Sequence, residues 1–306
     1  MTPSGVVAIT GGTGFVGQMV LDVAQERGIA IRALARKVPE GRENVEWVQG
    51  SLSDDDALAR LVSGAEAVIH IAGLTNTPDP SQFKAANVTG TERLIAACKA
   101  QKVKRFVFVS SLSARKPELS LYGASKARAE ELVKASGLQW TIVRPPGVYG
   151  PRDVDYLDMF RTAKFGFVPL PPGGASSIIH ARDLANLLLD LVPATGMVLK
   201  KLFEPDDGRE GGWSHKELAV QIGASVGRKV FAPHLPEGVL KLAASADRML
   251  RGDMAKLTAD RVGYMCHPNW VSRSDRAVPQ GVWQPEIGGV EGLKATAEWY
   301  RREGWL

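Results

Sequence analysis

The chain has 306 residues, of which 44% are hydrophobic and 23% are charged, with 32 glycines and 18 prolines. This composition is that of a folded globular protein, and it excludes disordered, collagen-like and fibrous chains. The formal net charge of +5 is spread along the chain without interleaved aromatic residues. It therefore indicates a solvated surface and not a nucleic-acid site.

The cysteines and the N-terminus narrow the class of protein further. Cys98 and Cys266 lie far apart, and neither has a second cysteine or a histidine at zinc-ligand spacing, so we predict no disulfide scaffold and no metal site. The first residues show no signal-peptide pattern, and no stretch has the length and apolarity of a membrane span. We therefore expect a cytoplasmic protein.

The first half of the chain alternates short apolar runs with helical patterns. The runs predict strands at 6–10, 30–35, 45–48, 67–72, 105–110 and 141–144. Helical spacing separates them, and Gly28, Gly64 and Gly137 occupy positions typical of helix C-caps. Repeated strand–helix units predict an α/β fold with a doubly wound parallel sheet, the Rossmann fold.

After Arg144 the composition changes, because residues 144–153 and 168–177 are rich in proline and glycine. A helix is predicted at 181–192 and a strand at 196–204. A further helix is predicted after Ser214, which has the preference of an N-cap residue.

This change of composition predicts the domain boundary. We expect a dinucleotide-binding Rossmann domain formed by residues 1–150 together with about 178–204. Residues 151–177 and about 205–306 would then form a smaller, discontinuous C-terminal lobe that binds the substrate.

The sequence T-G-G-T-G-F-V-G at 10–17 directly follows the first predicted strand and opens the first predicted helix. Its glycines permit a tight turn, a close approach of a pyrophosphate to the backbone, and close packing of helix on strand. The alternative of a turn without a ligand is disfavoured by this strand–loop–helix context. The residues expected to contact a dinucleotide here are Gly11, Thr13, Gly14, Phe15, Val16 and Gly17.

The end of the second predicted strand bears on the choice of cofactor. Dinucleotide folds commonly place an acidic residue there for the adenosine ribose, whereas this chain has Arg36 followed by Lys37. A guanidinium can pair with a 2′-phosphate that a carboxylate would repel. The prediction is NADP(H), and the alternative is that Arg36 is a surface charge beside NAD(H).

The second motif, Y-G-A-S-K from Tyr122 to Lys126, is predicted to open a helix after the Ser-Ser pair of the fifth strand. The i, i+4 spacing puts both side chains on one helix face. There an ammonium would lower the phenol pKa from about 10 toward the working pH. A serine hydroxyl from the strand end could hold the reacting carbonyl or alcohol beside that phenol.

With these motifs the chain resembles the short-chain dehydrogenase/reductase superfamily, in its extended branch of epimerase/dehydratase and dihydroflavonol-reductase-like proteins. The resemblance is specific over residues 5–153, looser through 178–185 and faint beyond. It implies that Tyr122 is the general acid/base and that Lys126 orients the nicotinamide ribose. It also implies that Ser111 polarises the substrate oxygen.

The interval from Ser111 to Tyr122 is short for this branch, which leaves Ser110 and Ser113 as competing serines. The resemblance further implies that Asn87 belongs to the catalytic set. Where the family usually has Gly-Asp-Leu, this chain has Ser51 in the middle position. Either Ser51 takes over the contact that the family's aspartate makes to adenine, or that contact is lost. The other cofactor-binding residues implied are Leu52, Ala72, Gly73, Pro145, Gly147 and Val148, besides Tyr122 and Lys126.

Together these features predict an NADP(H)-dependent oxidoreductase that transfers a hydride between nicotinamide and a carbonyl or secondary alcohol of a small organic substrate. One alternative is a sugar-nucleotide epimerase or dehydratase using NAD(P), against which Arg36 argues. The other is a non-catalytic NADPH-binding stabiliser or sensor, against which the intact Ser111, Tyr122 and Lys126 argue. The expected partner is a small-molecule substrate, and neither nucleic acid nor a membrane span is expected. The sequence leaves undecided whether the protein forms a homodimer.

Overall fold

The computed structural model describes residues 5–42, 44–77 and 79–306. The strands are β1 (Val7–Thr10), β2 (Ile31–Ala35), β3 (Val45–Gln49), β4 (Ala67–His70), β5 (Arg105–Val109), β6 (Gln139–Val143), β7 (Gly147–Tyr149), β8 (Ala175–Ser176), β9 (Ile178–His180), β10 (Lys201–Phe203), β11 (Trp213–Ser214) and β12 (Asn269–Trp270).

The α-helices are α1 (Phe15–Glu26), α2 (Asp55–Val62), α3 (Ser81–Phe83), α4 (Gly90–Ala100), α5 (Leu121–Ala135), α6 (Asp155–Lys164), α7 (Ala181–Asp190), α8 (His215–Ser225), α9 (Glu237–Arg251), α10 (Ala259–Met265) and α11 (Gly289–Arg302). A π-helical segment, Lys84–Thr89, joins α3 to α4. Short 3₁₀ turns lie at Leu112–Arg115, Pro117–Leu119, Gly252–Met254 and Ser274–Arg276.

The main sheet has seven parallel strands in the order β10–β6–β5–β4–β1–β2–β3. Strands β1, β4 and β5 are buried along their whole length, which explains why they are continuous apolar runs and not alternating patterns. The strand order reverses between β1 and β4, and such sheets bind ligands beyond the carboxyl ends of their strands at this point. The predicted doubly wound sheet is confirmed.

Unit 1 of the structure comprises residues 1–144, 184–203 and 278–283 and contains this sheet. One of its apolar clusters joins the sheet to α2, α4 and α5 through residues such as Leu58, Leu94 and Val133. At the start of β5, the buried Arg105 donates to the backbone oxygens of Leu191 and Val192, which lie just beyond α7. This cation therefore fastens a late segment of the chain to a central strand.

Unit 2 comprises residues 145–183, 204–277 and 284–306. In it β7 pairs in parallel with β9, and β11, β8 and β12 form a three-stranded sheet. Its main core includes Tyr149, Phe160 and Tyr300. The hydroxyl of Tyr300 donates to the backbone oxygen of Asp153 at 2.8 Å, so the buried phenol keeps a partner.

The six strands predicted for the first half all form, with ends shifted by at most a few residues. Gly28, Gly64 and Gly137 have φ of +65°, +64° and +79°, as helix C-caps require. The predicted strand at 196–204 is largely wrong, because turns occupy most of it and only Lys201–Phe203 joins the sheet. Among the helices that the structure describes, none is long and apolar enough to cross a membrane.

Candidate cofactor-binding and catalytic site

The parallel strands of unit 1 end at one edge of the sheet, here called the carboxyl edge, and most of the predicted site residues follow a strand at that edge. In chain order these are Gly11, Thr13, Gly14, Phe15, Val16 and Gly17 after β1, Arg36 and Lys37 after β2, Ser51 and Leu52 after β3, Ala72 and Gly73 after β4, and Ser111 after β5. The fold thus brings together residues that are up to 100 positions apart in the chain.

The glycine-rich loop turns sharply between β1 and α1. Gly11 has φ of +79°, and a Cβ there would lie 2.6 Å from the backbone nitrogen of Ala72. A Cβ at Gly17 would overlap the carbonyl oxygen of Gly11, so helix and loop pack too closely for any side chain. Gly14, the N-cap of α1, is exposed, and a Cβ there would meet nothing closer than 3.4 Å.

These glycines serve two different purposes. Gly11 and Gly17 are required by the protein's own packing, whereas no neighbouring atom requires Gly14. Its open position beside the first amide groups of α1 fits a ligand phosphate, which needs both N–H donors and close backbone approach. The loop therefore fits the pyrophosphate of a dinucleotide.

The basic residues on β2 and beyond it differ in their surroundings. Arg32 within the strand forms an ion pair with Glu46 at 2.8 Å and donates to the oxygen of Ser63 at 2.6 Å. Arg36 and Lys37, directly beyond the strand, are exposed. Arg32 is thus part of the packing of β3 and α2, whereas Arg36 and Lys37 are exposed basic side chains just beyond the end of β2.

The segment after β3 shows what stands in place of the family's aspartate. The hydroxyl of Ser51 lies 2.8 Å from that of Ser53 and accepts from the Ser53 amide at 3.2 Å. The nearby Asp54 caps α2 by accepting from the amide of Ala57 at 2.9 Å. That carboxylate is therefore used within the helix start, while Leu52 packs against Gly90 of α4.

A buried chain of hydrogen bonds runs beneath the carboxyl edge. The amide of Ala72 donates to Thr10 Oγ1 at 3.3 Å, and this hydroxyl lies 2.6 Å from His70 Nδ1. His70 Nε2 lies 2.9 Å from Thr91 Oγ1, which donates to the Asn87 oxygen at 2.7 Å. Because the Thr91 hydroxyl donates its proton to that carbonyl, it can only accept from His70. His70 therefore carries its proton on Nε2, and its Nδ1 accepts from the Thr10 hydroxyl.

The imidazole of His70 stays neutral in this chain. It is fully buried, and burial is the main reason that its pKa falls from 6.5 to about 3. This role could not be predicted from the sequence, because His70 meets Thr10 and Thr91 only through the pairing of β4 with β1 and the packing of α4.

Asn87 braces the backbone beside Gly73. Its Oδ1 accepts from the amide of Leu74 at 2.8 Å, and its Nδ2 donates to the Leu74 oxygen and to Ser125 Oγ, both at 2.9 Å. A Cβ at Gly73 would lie 2.9 Å from Asn87 Oδ1. Asn87 lies in the π-helical segment, a distortion that is frequent at functional sites.

Helix α5 presents Tyr122, Lys126 and Glu130 at successive i, i+4 positions, and all three are buried. Lys126 Nζ donates to the Val109 oxygen at 2.7 Å and lies 4.5 Å from the centre of the Phe108 ring. Burial lowers the pKa of Lys126 to about 8, and the charge of Glu130 opposes that shift. The ammonium is thus held at the end of β5, the strand that leads to Ser111.

The three candidate serines have distinct environments. Ser110 is buried and donates to Glu130 Oε1 at 2.6 Å, so its hydroxyl is committed to that carboxylate. Ser113 is buried within a 3₁₀ turn. Ser111 is only half-buried, and its Oγ accepts from the Ser113 amide at 3.2 Å, a bond that leaves the hydroxyl proton unused. This geometry favours Ser111 over Ser110.

Glu130 is a further residue of this region that the sequence reasoning missed. It is 2% exposed and accepts from Arg144 Nε at 2.7 Å and Nη2 at 2.8 Å. Its spacing of four residues from Lys126 was a signal that could have found it.

The remaining predicted cofactor residues, Pro145, Gly147 and Val148, belong to unit 2. Gly147 and Val148 open β7, where they pair with Ile178 and Ile179. A Cβ at Gly147 would overlap the hydroxyl of Tyr156, so this glycine has a packing reason of its own.

Comparison with known proteins agrees with this arrangement. Residues 11–192, more than half of the chain, match a family model described as NAD(P)H-binding. The chain is 34% identical to the ceramide reductase of Caulobacter vibrioides, over 99% of this chain and 96% of that protein. It is 29% identical to the 2-alkyl-3-oxoalkanoate reductase of Stenotrophomonas maltophilia, over 94% and 97% of the two chains. The crystal structure of gox2253 shares the fold, with a TM-score of 0.78 at 24% identity and coverage of 99% and 100%.

Proposed function

Because the chain belongs to this NAD(P)H-binding family and is an NAD(P)-dependent oxidoreductase of the short-chain dehydrogenase/reductase type, we propose that it reduces a ketone in a long-chain lipid. The observation that carries the substrate class is the similarity to a ceramide reductase along almost the whole of both chains. The 2-alkyl-3-oxoalkanoate reductase supports the ketone, since its name describes an oxo group on an alkyl chain. The fold alone would not identify a substrate.

We propose the following roles at the carboxyl edge. When bound, the nicotinamide supplies the hydride that reaches the carbonyl carbon. Tyr122 gives its phenolic proton to the carbonyl oxygen, and the ammonium of Lys126 on the same helix face stabilises the phenolate that remains. Ser111 donates its hydroxyl proton in a hydrogen bond to that oxygen. In the overall reaction, the ketone, the reduced cofactor and one proton are converted into the alcohol and the oxidised cofactor.

We propose NADPH as the preferred cofactor. The support is the exposed pair Arg36 and Lys37 beyond β2, in contrast to Arg32, whose guanidinium is engaged within the fold. A charge-assisted contact to the 2′-phosphate contributes about 1.5–3 kcal/mol, or roughly 10- to 150-fold in affinity. Arg36→Asp should reverse the preference in a fluorescence titration, and equal wild-type affinity for NADPH and NADH would contradict the assignment.

Unit 2 is proposed to select the substrate, and Pro145, Gly147 and Val148 to contact the nicotinamide amide through their backbone. The two free cysteines and the reducing cofactor fit a cytoplasmic location.

The test measures NADPH oxidation with a long-chain 3-oxo lipid and with a short-chain, water-soluble 3-oxo compound. Tyr122→Phe should lower kcat by about 10²- to 10⁴-fold on either substrate and leave NADPH affinity unchanged. Lys126→Met should weaken cofactor binding as well. Ser111→Ala should reduce turnover more than its matched control, Ser113→Ala. Full activity in Tyr122→Phe would show that another group is the acid.

A further inference from the structure

Helix α9 in unit 2 is apolar on two sides. Leu240 and Ala244 pack with Val262 of α10 in a small core. The opposite side carries four exposed apolar residues, which are Val239 (47% exposed), Leu242 (72%), Met249 (83%) and Leu250 (82%). At 3.6 residues per turn these four fall within an arc of about 100°. We call this arc the apolar side of α9.

A cluster of exposed phenylalanines, here called the phenylalanine cluster, leads into the same helix. Its members are Phe165, Phe167 and Phe231, with exposures of 88%, 41% and 69%. The backbone of Phe231 fixes them, since its amide donates to the Gly166 oxygen at 2.8 Å and its oxygen accepts from the Val168 amide at 3.0 Å. Helix α9 begins six residues after Phe231, so the cluster and the helix are joined by a short segment.

The sequence around the phenylalanine cluster is basic. Residues 159–182 and 218–236 contain no aspartate or glutamate. Within them Lys164, Arg228 and Lys229 are exposed and close in sequence to the phenylalanines. The positive charge of these two segments is therefore not balanced by a carboxylate of their own, and it complements an anionic partner.

We propose that unit 2 docks on the surface of an anionic lipid bilayer, with the phenylalanine cluster and the apolar side of α9 in the headgroup boundary and the basic residues on lipid phosphates. Aromatic residues, basic side chains and an exposed apolar helix side are the features by which proteins bind in the plane of a membrane. The choice of occupant rests on the proposed function, because a long-chain ketone is held in a bilayer. A second copy of this chain fits less well, since a two-fold contact would bring the same basic residues together.

The proposal gives the enzyme a route to a substrate that scarcely dissolves in water. Docking would let the lipid reach unit 2 without passing through bulk solvent.

The test is flotation of the full-length protein with vesicles of phosphatidylcholine, with and without phosphatidylglycerol. The wild type should bind the anionic vesicles more tightly. Phe165→Ser with Phe231→Ser should lower the partition coefficient about 10-fold or more. Lys164→Gln and Lys229→Gln should each lower it about 5-fold at low salt, an effect that high salt removes. The matched control is Met197→Ser, which changes a half-exposed apolar residue in unit 1.

The two proposals fail separately. Reduction of the long-chain 3-oxo lipid without vesicle binding would overturn docking and leave the proposed function in place. Vesicle binding without reduction of any ketone would support docking and remove the proposed function. Loss of binding in the phenylalanine variants, with unchanged circular dichroism and NADPH affinity, supports docking. Self-association that the same substitutions abolish, without vesicle binding, would overturn docking in favour of a second copy.

Discussion

Replacing Glu130 by glutamine removes a buried negative charge without changing the size of the side chain. In the wild type both carboxylate oxygens accept from Arg144, at 2.7 and 2.8 Å, and one also accepts from Ser110 at 2.6 Å. The amide of glutamine would turn N–H groups toward one of these donors. Arg144, itself only 16% exposed, would lose this ion pair.

Removing one partner of a buried ion pair costs about 3–5 kcal/mol of unfolding free energy. Because glutamine has the same size as glutamate, we expect a loss at the lower end of that range, about 3 kcal/mol. A second effect concerns Lys126. Burial lowers its pKa to about 8 and Glu130 opposes this, so removing Glu130 must lower that pKa further. The ammonium would then lose its proton at a lower pH.

Urea unfolding measures the first effect, and NADPH titration from neutral to alkaline pH measures the second. Glu130→Gln should lower the unfolding free energy and move the loss of NADPH affinity to lower pH. The matched control is Glu131→Gln, where the carboxylate is 63% exposed and pairs with Arg128 on the surface. If the two variants behave alike in both assays, the assigned role of Glu130 is wrong.

Three further outcomes are expected. Gly14→Ala should weaken NADPH binding at a small cost in unfolding free energy, because alanine is a poorer N-cap than glycine. Gly17→Ala should lower the unfolding free energy far more, because only its Cβ overlaps a loop carbonyl. His70→Leu should lower the unfolding free energy by about 2–4 kcal/mol at neutral pH, since two threonine hydroxyls lose their ring partner. An unfolded histidine gains a proton near pH 6.5 and folded His70 only near pH 3, so the wild type loses unfolding free energy as the pH falls between those values. In His70→Leu the unfolding free energy should therefore depend less on pH over this range. NADPH affinity should fall as pH rises through about 8, where Lys126 becomes neutral, and an affinity unchanged well above that pH would contradict this.

Strands β1, β4 and β5 could be predicted because burial on both faces forces them to be apolar runs. Helix α9 could not be predicted in the same way, since more than half of its apolar residues face solvent and only Leu240 and Ala244 are buried. The strand expected at 196–204 is mostly turn, because only Lys201–Phe203 finds a partner, on β6.

Some parts of the candidate site could likewise be predicted from the sequence, and others could not. The glycine-rich loop and the Tyr122–Lys126 pair have local spacing that can be recognised from the sequence. The π-helical segment around Asn87 has no such signal, because it depends on hydrogen bonds to Leu74 and Ser125, 13 positions before and 38 positions after that residue. Tertiary contacts of this kind decide which polar residues are buried at the carboxyl edge.

The attachment of Arg105 to the chain beyond α7 has a consequence for the order of events during synthesis. Its guanidinium lies in a central strand, yet its carbonyl partner at Leu191 is 86 residues downstream. At about 5–20 residues per second, the ribosome needs roughly 4–17 s to deliver that partner. Until then the β5 side of the nascent sheet holds a cation that still requires water. The packing of the unit 1 sheet is therefore completed only when a segment made long after α5 has emerged.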